Sequence, residues 1–411
     1  MFVTDRQIGG STFEDELDGL EAARIAADAP GLVDFTERVA KCRLLMAKHD
    51  VTHLVLTAGS NLEYFTGVHW HPSERLLCAI VYQNGTIEWV APRFEAPRLE
   101  SMLSAPAQIH SWEEEQDPFA LLSAQIRATA SRGVRCALDE TAPFAFAARL
   151  KSALAPAEVF PANAITDQCR SIKSSKEIAA ISAVMLMTLE VQRRAAKILR
   201  AGITANEVIE FIDKAHRRLT GKGSTFCIVS FGDQTAFPHG GRSDQVLKEG
   251  DMVLIDTGTD LHGYKSDLTR SYVFGEPTLR QREIWDVERK AQYAAFDAAQ
   301  VGVPCEMVDH AARNVIIDHG LGPDYEIPGL PHRTGHGLGL DLHEHPYIVR
   351  GNSTPLAPGM CFSNEPMICI YGEFGVRLED HVYITENGPA WFTEPAVSID
   401  RPFRPVKFGS D

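Results

Sequence analysis

The 411-residue sequence lacks several motifs that would assign it to a common class at once. Its eight cysteines include no C-x-x-C pair, so a thiolate zinc site is not expected. It also has no Gly-x-Ser-x-Gly elbow, no His-Glu-x-x-His helix, no dinucleotide fingerprint and no phosphate loop. These absences argue against the hydrolases, oxidoreductases and nucleotide-binding proteins that those motifs define.

Long apolar runs and an excess of basic residues are missing as well. No stretch reaches transmembrane length, and the acidic first 25 residues lack the apolar region of a signal peptide, so we expect a cytoplasmic protein with no membrane partner. The net charge is −15, which argues against a nucleic-acid partner because phosphate backbones require basic patches. An even cysteine count does not indicate disulfides in a chain of this length, and buried free thiols suit a reducing compartment.

The length of the chain suggests two domains. We predict an N-terminal arm over residues 1–30, which is either loose or a docking segment, and an α/β domain over residues 31–168, where strands alternate with helices. A second domain is predicted over residues 169–400, followed by a tail over 401–411. Capping boxes at Ser174 and Thr204 predict the starts of two helices. The order of helices and strands in the second domain suggests an internal duplication.

Four carboxylates lie in segments that read as strands or tight turns: Asp256, Asp267, Glu365 and Glu379. Asp256 ends an apolar strand, and Asp267 follows eleven positions later, beyond a turn at Gly263, so a hairpin would bring the two together. Taken singly, each could simply cap a turn. As a set, buried carboxylates require partners, and two divalent cations would neutralise four of them.

Arg377 and Glu379 lie two positions apart in an alternating run, which predicts a strand with both side chains on one face. A salt bridge between them is the alternative interpretation. Glu365 interrupts an apolar run just before Pro366, where a carboxylate is expected to be paired or to coordinate a metal.

Histidines are concentrated in one glycine-rich segment, residues 332–346, which contains His332, His336, His343 and His345. Such a concentration is typical of metal binding and proton transfer. His239 lies in a separate Pro-His-Gly-Gly turn that could equally be a surface loop. Trp70, flanked by two histidines after Gly67, is either a residue at the rim of a site or a packed interdomain tryptophan.

Together these segments resemble a metallopeptidase family that comprises Xaa-Pro dipeptidases (prolidases), aminopeptidases P and methionine aminopeptidases. The resemblance covers roughly residues 170–395 and rests on the ordered set Asp256, Asp267, His336, Glu365 and Glu379. It implies an α+β pita-bread catalytic domain preceded by a creatinase-type α/β domain. Methionine aminopeptidases lack that first domain and are disfavoured.

The resemblance also implies roles for individual residues. Two divalent ions, Mn or Zn with Co as a further option, would be held by Asp256, Asp267, His336, Glu365 and Glu379. A hydroxide bridging the ions would attack the Xaa-Pro bond of a small peptide, most simply a dipeptide. Catalytic roles fall to Glu365, His239 and His343, and substrate binding falls to His332, Arg377 and Trp70.

Family members are commonly dimers, so a homodimer is expected. Aminopeptidase P, which accepts longer peptides, and an ectoine-type amide hydrolase are the alternatives. One departure is that Cys369 occupies the place of a family tyrosine, and the nearest tyrosine is Tyr371.

Overall fold

The computed structural model describes residues 7–20, 35–130 and 133–403. The described residues group into two compact units: residues 35–170 form one, and residues 7–20 with 171–403 form the other. Each unit has its own sheets and its own buried apolar core. The first described helix, α1 (Phe13–Asp18), belongs to the second of these units.

Helices and strands alternate in the unit of residues 35–170, as expected for an α/β domain. Its elements are α2 (Phe35–Lys48), β1 (His53–Thr57), α3 (Ser60–Thr66), β2 (Cys78–Tyr82), β3 (Ile87–Pro92), α4 (Ala96–Met102), β4 (Ile109–Trp112), α5 (Pro118–Thr129), β5 (Arg135–Leu138), α6 (Phe144–Leu154), β6 (Glu158–Pro161) and α7 (Asn163–Arg170). The strands form one sheet in the order β4-β3-β2-β1-β5-β6. β2 is antiparallel to both of its neighbours and the remaining pairs are parallel. Central β1 is buried along its whole length, which explains its continuous apolar run.

The other unit contains two helix pairs, each followed by strands. Its further elements are α8 (Ser175–Lys197), α9 (Ala205–Thr220), β7 (Phe226–Phe231), β8 (Met252–Gly258), β9 (Asp260–Leu261), β10 (Tyr264–Lys265), β11 (Leu268–Val273), α10 (Leu279–Ala298), α11 (Cys305–Asp318), β12 (Gly335–Gly337), β13 (Glu344–Ile348), β14 (Cys361–Asn364), β15 (Met367–Ile370), β16 (Phe374–Arg377), β17 (Asp380–Thr385) and β18 (Gly388–Trp391). The larger sheets have the orders β11-β8-β7 and β13-β12-β14-β17-β18, and β15 pairs with β16.

The predicted helix starts are confirmed at the level of single hydrogen bonds. Ser174 caps α8 and accepts from the backbone N–H of Glu177, whose side chain in turn accepts from the Ser174 N–H. Thr204 and Glu207 make the same reciprocal pair at the start of α9. These boxes satisfy N–H groups that a helix would otherwise leave unpaired at its first turn.

The duplication suggested by the sequence is visible in the backbone. Gly202 donates to Leu247 O and Leu247 donates to Ile203 O, at 2.9 Å in each case. One hundred positions later, Gly302 donates to Leu356 O at 2.8 Å and Leu356 donates to Val303 O at 2.9 Å. Nine residues beyond these two leucines come Asp256 and Glu365, so the two halves place an acidic residue at corresponding points.

The apolar run around Glu365 and the strand predicted to contain Arg377 and Glu379 are each divided into two shorter strands. The first is broken between β14 and β15, and Glu365 lies in the break. The second is broken between β16 and β17, so Arg377 and Glu379 do not share one uninterrupted strand. At each break the backbone N–H forms a hydrogen bond with a segment outside the adjoining strands. The N–H of Glu365 donates to Thr334 O at 2.9 Å, and that of Glu379 donates to Thr269 O at 3.2 Å.

The described part of the predicted N-terminal arm packs against helices of the second unit. Thr12 caps α1. Arg194 of α8 donates to the carbonyl oxygens of Glu16 and Gly19 at 3.1 and 3.0 Å. Within the described residues, no helix combines the length and the apolar character needed to cross a bilayer.

Candidate metal centre

The two aspartates approach each other because β8 and β11 are antiparallel neighbours. Asp256 lies in β8 opposite Thr269, and Asp267 immediately precedes β11. Both are buried, with 8% and 4% of their surface exposed. The hairpin predicted between them is present, with β9 and β10 at its end.

His336 lies in the short strand β12, and the backbone of another segment packs closely against the residue before it. A Cβ on Gly335 would lie 1.8 Å from the carbonyl oxygen of Ser363, so a glycine is required at that position. The His336 N–H donates to Ser363 Oγ, and that hydroxyl donates to Glu365 Oε1, both at 2.9 Å. His336 Nε2 is 3.1 Å from Glu365 Oε1 and 3.6 Å from Asp267 Oδ2.

Glu379 completes the set from the break between β16 and β17. Thr269 Oγ1 donates to its Oε2 at 2.6 Å. The ligand atoms of His336, Glu365 and Glu379 lie within 4.8 Å of one another, and so do those of Asp267, Glu379 and His381. Four of the five predicted ligands therefore fall into overlapping groups of metal-binding size.

Asp256, the fifth predicted ligand, is held by Arg377. Arg377 Nη2 is 2.5 Å from Asp256 Oδ2, its Nε donates to Thr269 Oγ1 at 3.0 Å, and its Nη1 donates to Pro238 O at 2.9 Å. The pair is buried, with 3% and 11% of the two side chains exposed. Arg377 thus pairs with Asp256 and not with Glu379, which had been the alternative interpretation.

Electrostatics at the centre favour bound cations. Burial first, and then the neighbouring carboxylate of Glu379, raise the pKa of Asp267 well above its ordinary value. The pKa of Glu379 is raised well above its ordinary value by burial and by Glu365, and that of Asp256 is raised mainly by burial. Burial opposes ionisation of Glu365 as well, but the charge and hydrogen bond of His336 outweigh it and lower the pKa of that carboxyl.

The residues present fit a pair of divalent ions. Asp256 Oδ1 and Glu379 Oε1 are buried and make no hydrogen bond within the described part of the chain. A buried carboxylate oxygen without a partner destabilises the fold unless a hydrogen-bond donor or a metal ion binds to it. Carboxylate oxygens and one imidazole are suitable ligands for hard or borderline divalent metals.

The predicted catalytic histidines are both exposed, and His343 lies beside this cluster. The ring of His343 is 4.0 Å from that of His336, centre to centre, and ligand atoms of Asp267, His336 and His343 also lie within 4.8 Å of one another. Desolvation and His336 lower the pKa of His343 to about 4, and His239 is close enough to contribute to this shift. His239 itself is exposed and follows Pro238, which accepts from Arg377.

His332 and Trp70 have different surroundings. His332 Nδ1 lies 2.7 Å from Arg333 O, while its Nε2 is buried and has no partner among the described residues. Burial lowers the pKa of His332. Trp70 lies in the unit of residues 35–170, partly exposed, with the Arg98 guanidinium carbon 4.4 Å from its ring centre.

Cys369, at the place of the family tyrosine, is fully buried in β15 and its backbone pairs with Gly329. Tyr371, two positions on, is 56% exposed and stacks on Phe237 with ring centres 5.3 Å apart.

The sequence analysis missed two residues of the centre. His381 is fully buried, its ring is 6.1 Å from that of His336, and it shares a metal-sized group with Asp267 and Glu379. Thr269 joins Glu379 to Arg377 through one hydroxyl. The position of His381, two residues after Glu379, was a usable signal, whereas a threonine in an apolar strand carried none.

Comparisons with known proteins identify both domains of the chain. The model of metallopeptidase family M24 matches residues 178–386, and that of the creatinase/prolidase N-terminal domain matches residues 38–172. A probable dipeptidase PepE of Mycobacterium tuberculosis is 36% identical over 357 residues, which cover 86% of this chain and 93% of that protein.

Solved structures show the same two-domain architecture. Dipeptidase PepE from Mycobacterium ulcerans superimposes with a TM-score of 0.82 at 32% identity, covering 92% of this chain and 99% of that one. A prolidase from Thermococcus sibiricus gives 0.80 at 30% identity, covering 89% and 98%. The predicted creatinase-type domain and pita-bread domain are thereby confirmed. The chain belongs to metallopeptidase family M24 and is a peptide hydrolase of a family that uses divalent metals.

Proposed function

We propose that this protein is an Xaa-Pro dipeptidase that works with two divalent cations. The observation that carries the proposal is the convergence of Asp267, His336, Glu365 and Glu379 in one buried cluster, beside Asp256 in its ion pair with Arg377. The dipeptidases and the prolidase to which the chain is similar lend support to the substrate class.

Two ions would be held by five side chains: Asp256, Asp267, His336, Glu365 and Glu379. Two bound cations would supply a hydroxide nucleophile near neutral pH. Oxygen-rich coordination with a single imidazole suits Mn, Zn or Co.

Proton transfer is assigned to Glu365 and charge stabilisation to the histidines. As a carboxylate, Glu365 would accept a proton from the attacking water, while Ser363 donates to one of its oxygens. His343 lies beside the cluster and His239 is near His343, and an N–H of each would meet the oxyanion that develops on the scissile carbonyl.

The free end of a dipeptide supplies the remaining contact. His332 Nε2 is a buried ring nitrogen without a partner in the described residues. Because Nδ1 donates to Arg333 O, His332 would bind the carboxylate at the pyrrolidine end of a substrate as the imidazolium, whose Nε2 also carries a proton. Arg377 contributes positive potential at the same place while it holds Asp256. We also propose a cytoplasmic homodimer in which Trp70 contributes to substrate binding.

Comparison of two peptides tests the substrate class. With the protein loaded with Mn, we expect faster turnover of Ala-Pro than of Ala-Pro-Ala. Faster turnover of the tripeptide would favour aminopeptidase P. Cleavage of neither peptide by a protein that holds two ions would favour an ectoine-type amide hydrolase.

Metal analysis of the same preparation tests the site. We expect about two ions per chain, with loss of peptide cleavage on chelation and recovery on adding metal back. Fewer than two ions at saturation, or turnover that survives exhaustive chelation, would contradict the dinuclear centre. Asp267→Asn is the matched variant, and it should hold fewer ions without a change of size.

A further inference from the structure

A buried glutamine joins the two backbone segments that carry the aspartates. Gln192 lies in α8 and is fully buried. Its Nε2 donates to Ile255 O and to Leu268 O, both at 2.9 Å. Ile255 immediately precedes Asp256, and Leu268 immediately follows Asp267, so one amide group spans the backbone beside both carboxylates.

A second glutamine does the same in the other half of the unit. Gln292 lies in α10 and is also fully buried. Its Nε2 is 3.1 Å from Leu378 O and 3.4 Å from Asn364 O, with Asp380 Oδ2 as a third acceptor at 3.2 Å. Leu378 and Asn364 are the residues just before Glu379 and Glu365.

The two glutamines occupy corresponding positions in the duplicated halves. Gln192 lies ten residues before Gly202 and Gln292 lies ten residues before Gly302, the two glycines that begin matching backbone pairings. The correspondence between the two halves therefore extends from the backbone to the side chains. In each half, a glutamine on one helix contacts the backbone next to one pair of carboxylates.

The orientation of each amide is set by its surroundings. Within the described residues, Gln192 Oε1 and Gln292 Oε1 are buried without a hydrogen-bond partner. Turning either amide over would place that oxygen against backbone carbonyl oxygens, so only the observed orientation is compatible with them. An unpaired buried acceptor is unfavourable because it has lost its hydrogen bonds to water. Both halves tolerate this cost where an amide joins the two ligand-bearing segments.

We propose that Gln192 and Gln292 are positioning residues for the metal centre. Gln192 sets the separation of the segments bearing Asp256 and Asp267, and Gln292 sets that of the segments bearing Glu365 and Glu379. This inference rests on the proposed dinuclear function. Groups that orient metal ligands typically change metal affinity by about 10–100-fold when they are removed.

The test uses Gln192→Met and Gln292→Met, which keep the length and apolar bulk of the side chain and remove its donors. Titration of the full-length apoprotein with Mn gives the dissociation constants, and calorimetry gives the melting temperature of the same apoprotein. We expect each variant to fold and to bind Mn at least tenfold more weakly than the wild type. Turnover should recover towards the wild-type rate when Mn is raised to saturation.

Gln281→Met is the matched control. Gln281 is a buried glutamine on the same helix as Gln292, and its Nε2 donates to the backbone oxygen of Gly250 at 2.9 Å, which is not next to a predicted ligand. This variant should lower the melting temperature of the apoprotein and leave the affinity for Mn unchanged. If a methionine variant fails to fold, it is replaced by Gln192→Asn or Gln292→Asn, which shortens the side chain by one methylene and withdraws the amide. The expected result is the same: Mn binding at least tenfold weaker than in the wild type.

Two outcomes are distinguishable. Unaltered Mn affinity in both variants, in a wild type that binds two ions, would overturn the positioning role alone. A wild type that fails to bind two ions would overturn both this inference and the proposed function.

Discussion

At the scale of single residues, the centre is built from side chains whose individual surroundings differ sharply. Asp267 and Glu379 are crowded by other carboxylates, whereas Glu365 is paired with an imidazole. This difference separates the groups that need a cation to remain ionised from the one that is ionised already. The proposed roles follow this difference: bound cations would neutralise the first two carboxylates, and Glu365 would accept a proton.

Removal of the His343 ring tests the assignment of an oxyanion donor. We expect His343→Ala to lower kcat on Ala-Pro by about 100-fold, since the loss of one donor of this kind typically costs 10²–10³ in rate. Metal content should stay at the wild-type level because His343 is outside the predicted ligand set. Steady-state kinetics together with metal analysis give both quantities, and a variant that loses metal instead would make His343 a ligand.

At the scale of elements, local rules predicted where helices begin better than where strands end. Both capping boxes recognised in the sequence are present, because a Ser or Thr with Glu three residues later satisfies free N–H groups without help from the rest of the fold. The breaks at Glu365 and Glu379 were not predicted. They arise where the backbone leaves one strand to pair with Thr334 or Thr269, and such partners are distant in sequence.

The contribution of the α8 cap to the free energy of unfolding can be measured. Ser174→Ala should lower the free energy of unfolding by about 1 kcal/mol, because the N–H of Glu177 loses its acceptor. Ser175→Ala, at the neighbouring exposed position inside the helix, is the control and should change stability by less than about 0.5 kcal/mol. Urea denaturation of both variants measures the difference, and equal effects would contradict a specific role for the cap.

At the scale of the whole molecule, each compact unit contains a buried neutral histidine. Desolvation lowers the pKa of His53 to about 4 in the unit of residues 35–170, and that of His216 to about 3 in the other. The unfolded chain takes up a proton near pH 6.5 at each position, whereas the folded chain does so only at lower pH. The contribution of these histidines to the free energy of unfolding should therefore be fully present above about pH 6.5 and decrease as the pH falls below that value.

The part of this acid sensitivity that comes from His53 can be measured separately. Between pH 7.5 and 5, His53 alone should account for a loss of about 2 kcal/mol, and His53→Gln, which stays neutral, should show a correspondingly smaller loss. Urea denaturation at the two pH values measures it. An equal loss in both proteins would show that His53 titrates normally in the folded state.

Assembly is the other property at this scale. We expect light scattering to give a mass twice the 45.3 kDa of one chain, since a homodimer is implied by the family resemblance. In that dimer Trp70→Ala should raise KM for Ala-Pro more than it lowers kcat. A monomeric mass at working concentration, or an unchanged KM in the variant, would count against the respective proposal.

The amino-acid sequence by itself determined the helix starts, the division into an α/β and an α+β part, and the candidate ligands, four of which the structure brings into overlapping groups. Those features depend on local hydrogen bonding, on the alternation of apolar residues and on an ordered set of acidic and imidazole side chains. Only the tertiary structure decided that Arg377 pairs with Asp256, that His381 lies at the centre, and that Gln192 and Gln292 hold the ligand-bearing segments. Each of these contacts joins residues far apart in the chain, and burial leaves each polar group only the partners that folding brings within reach.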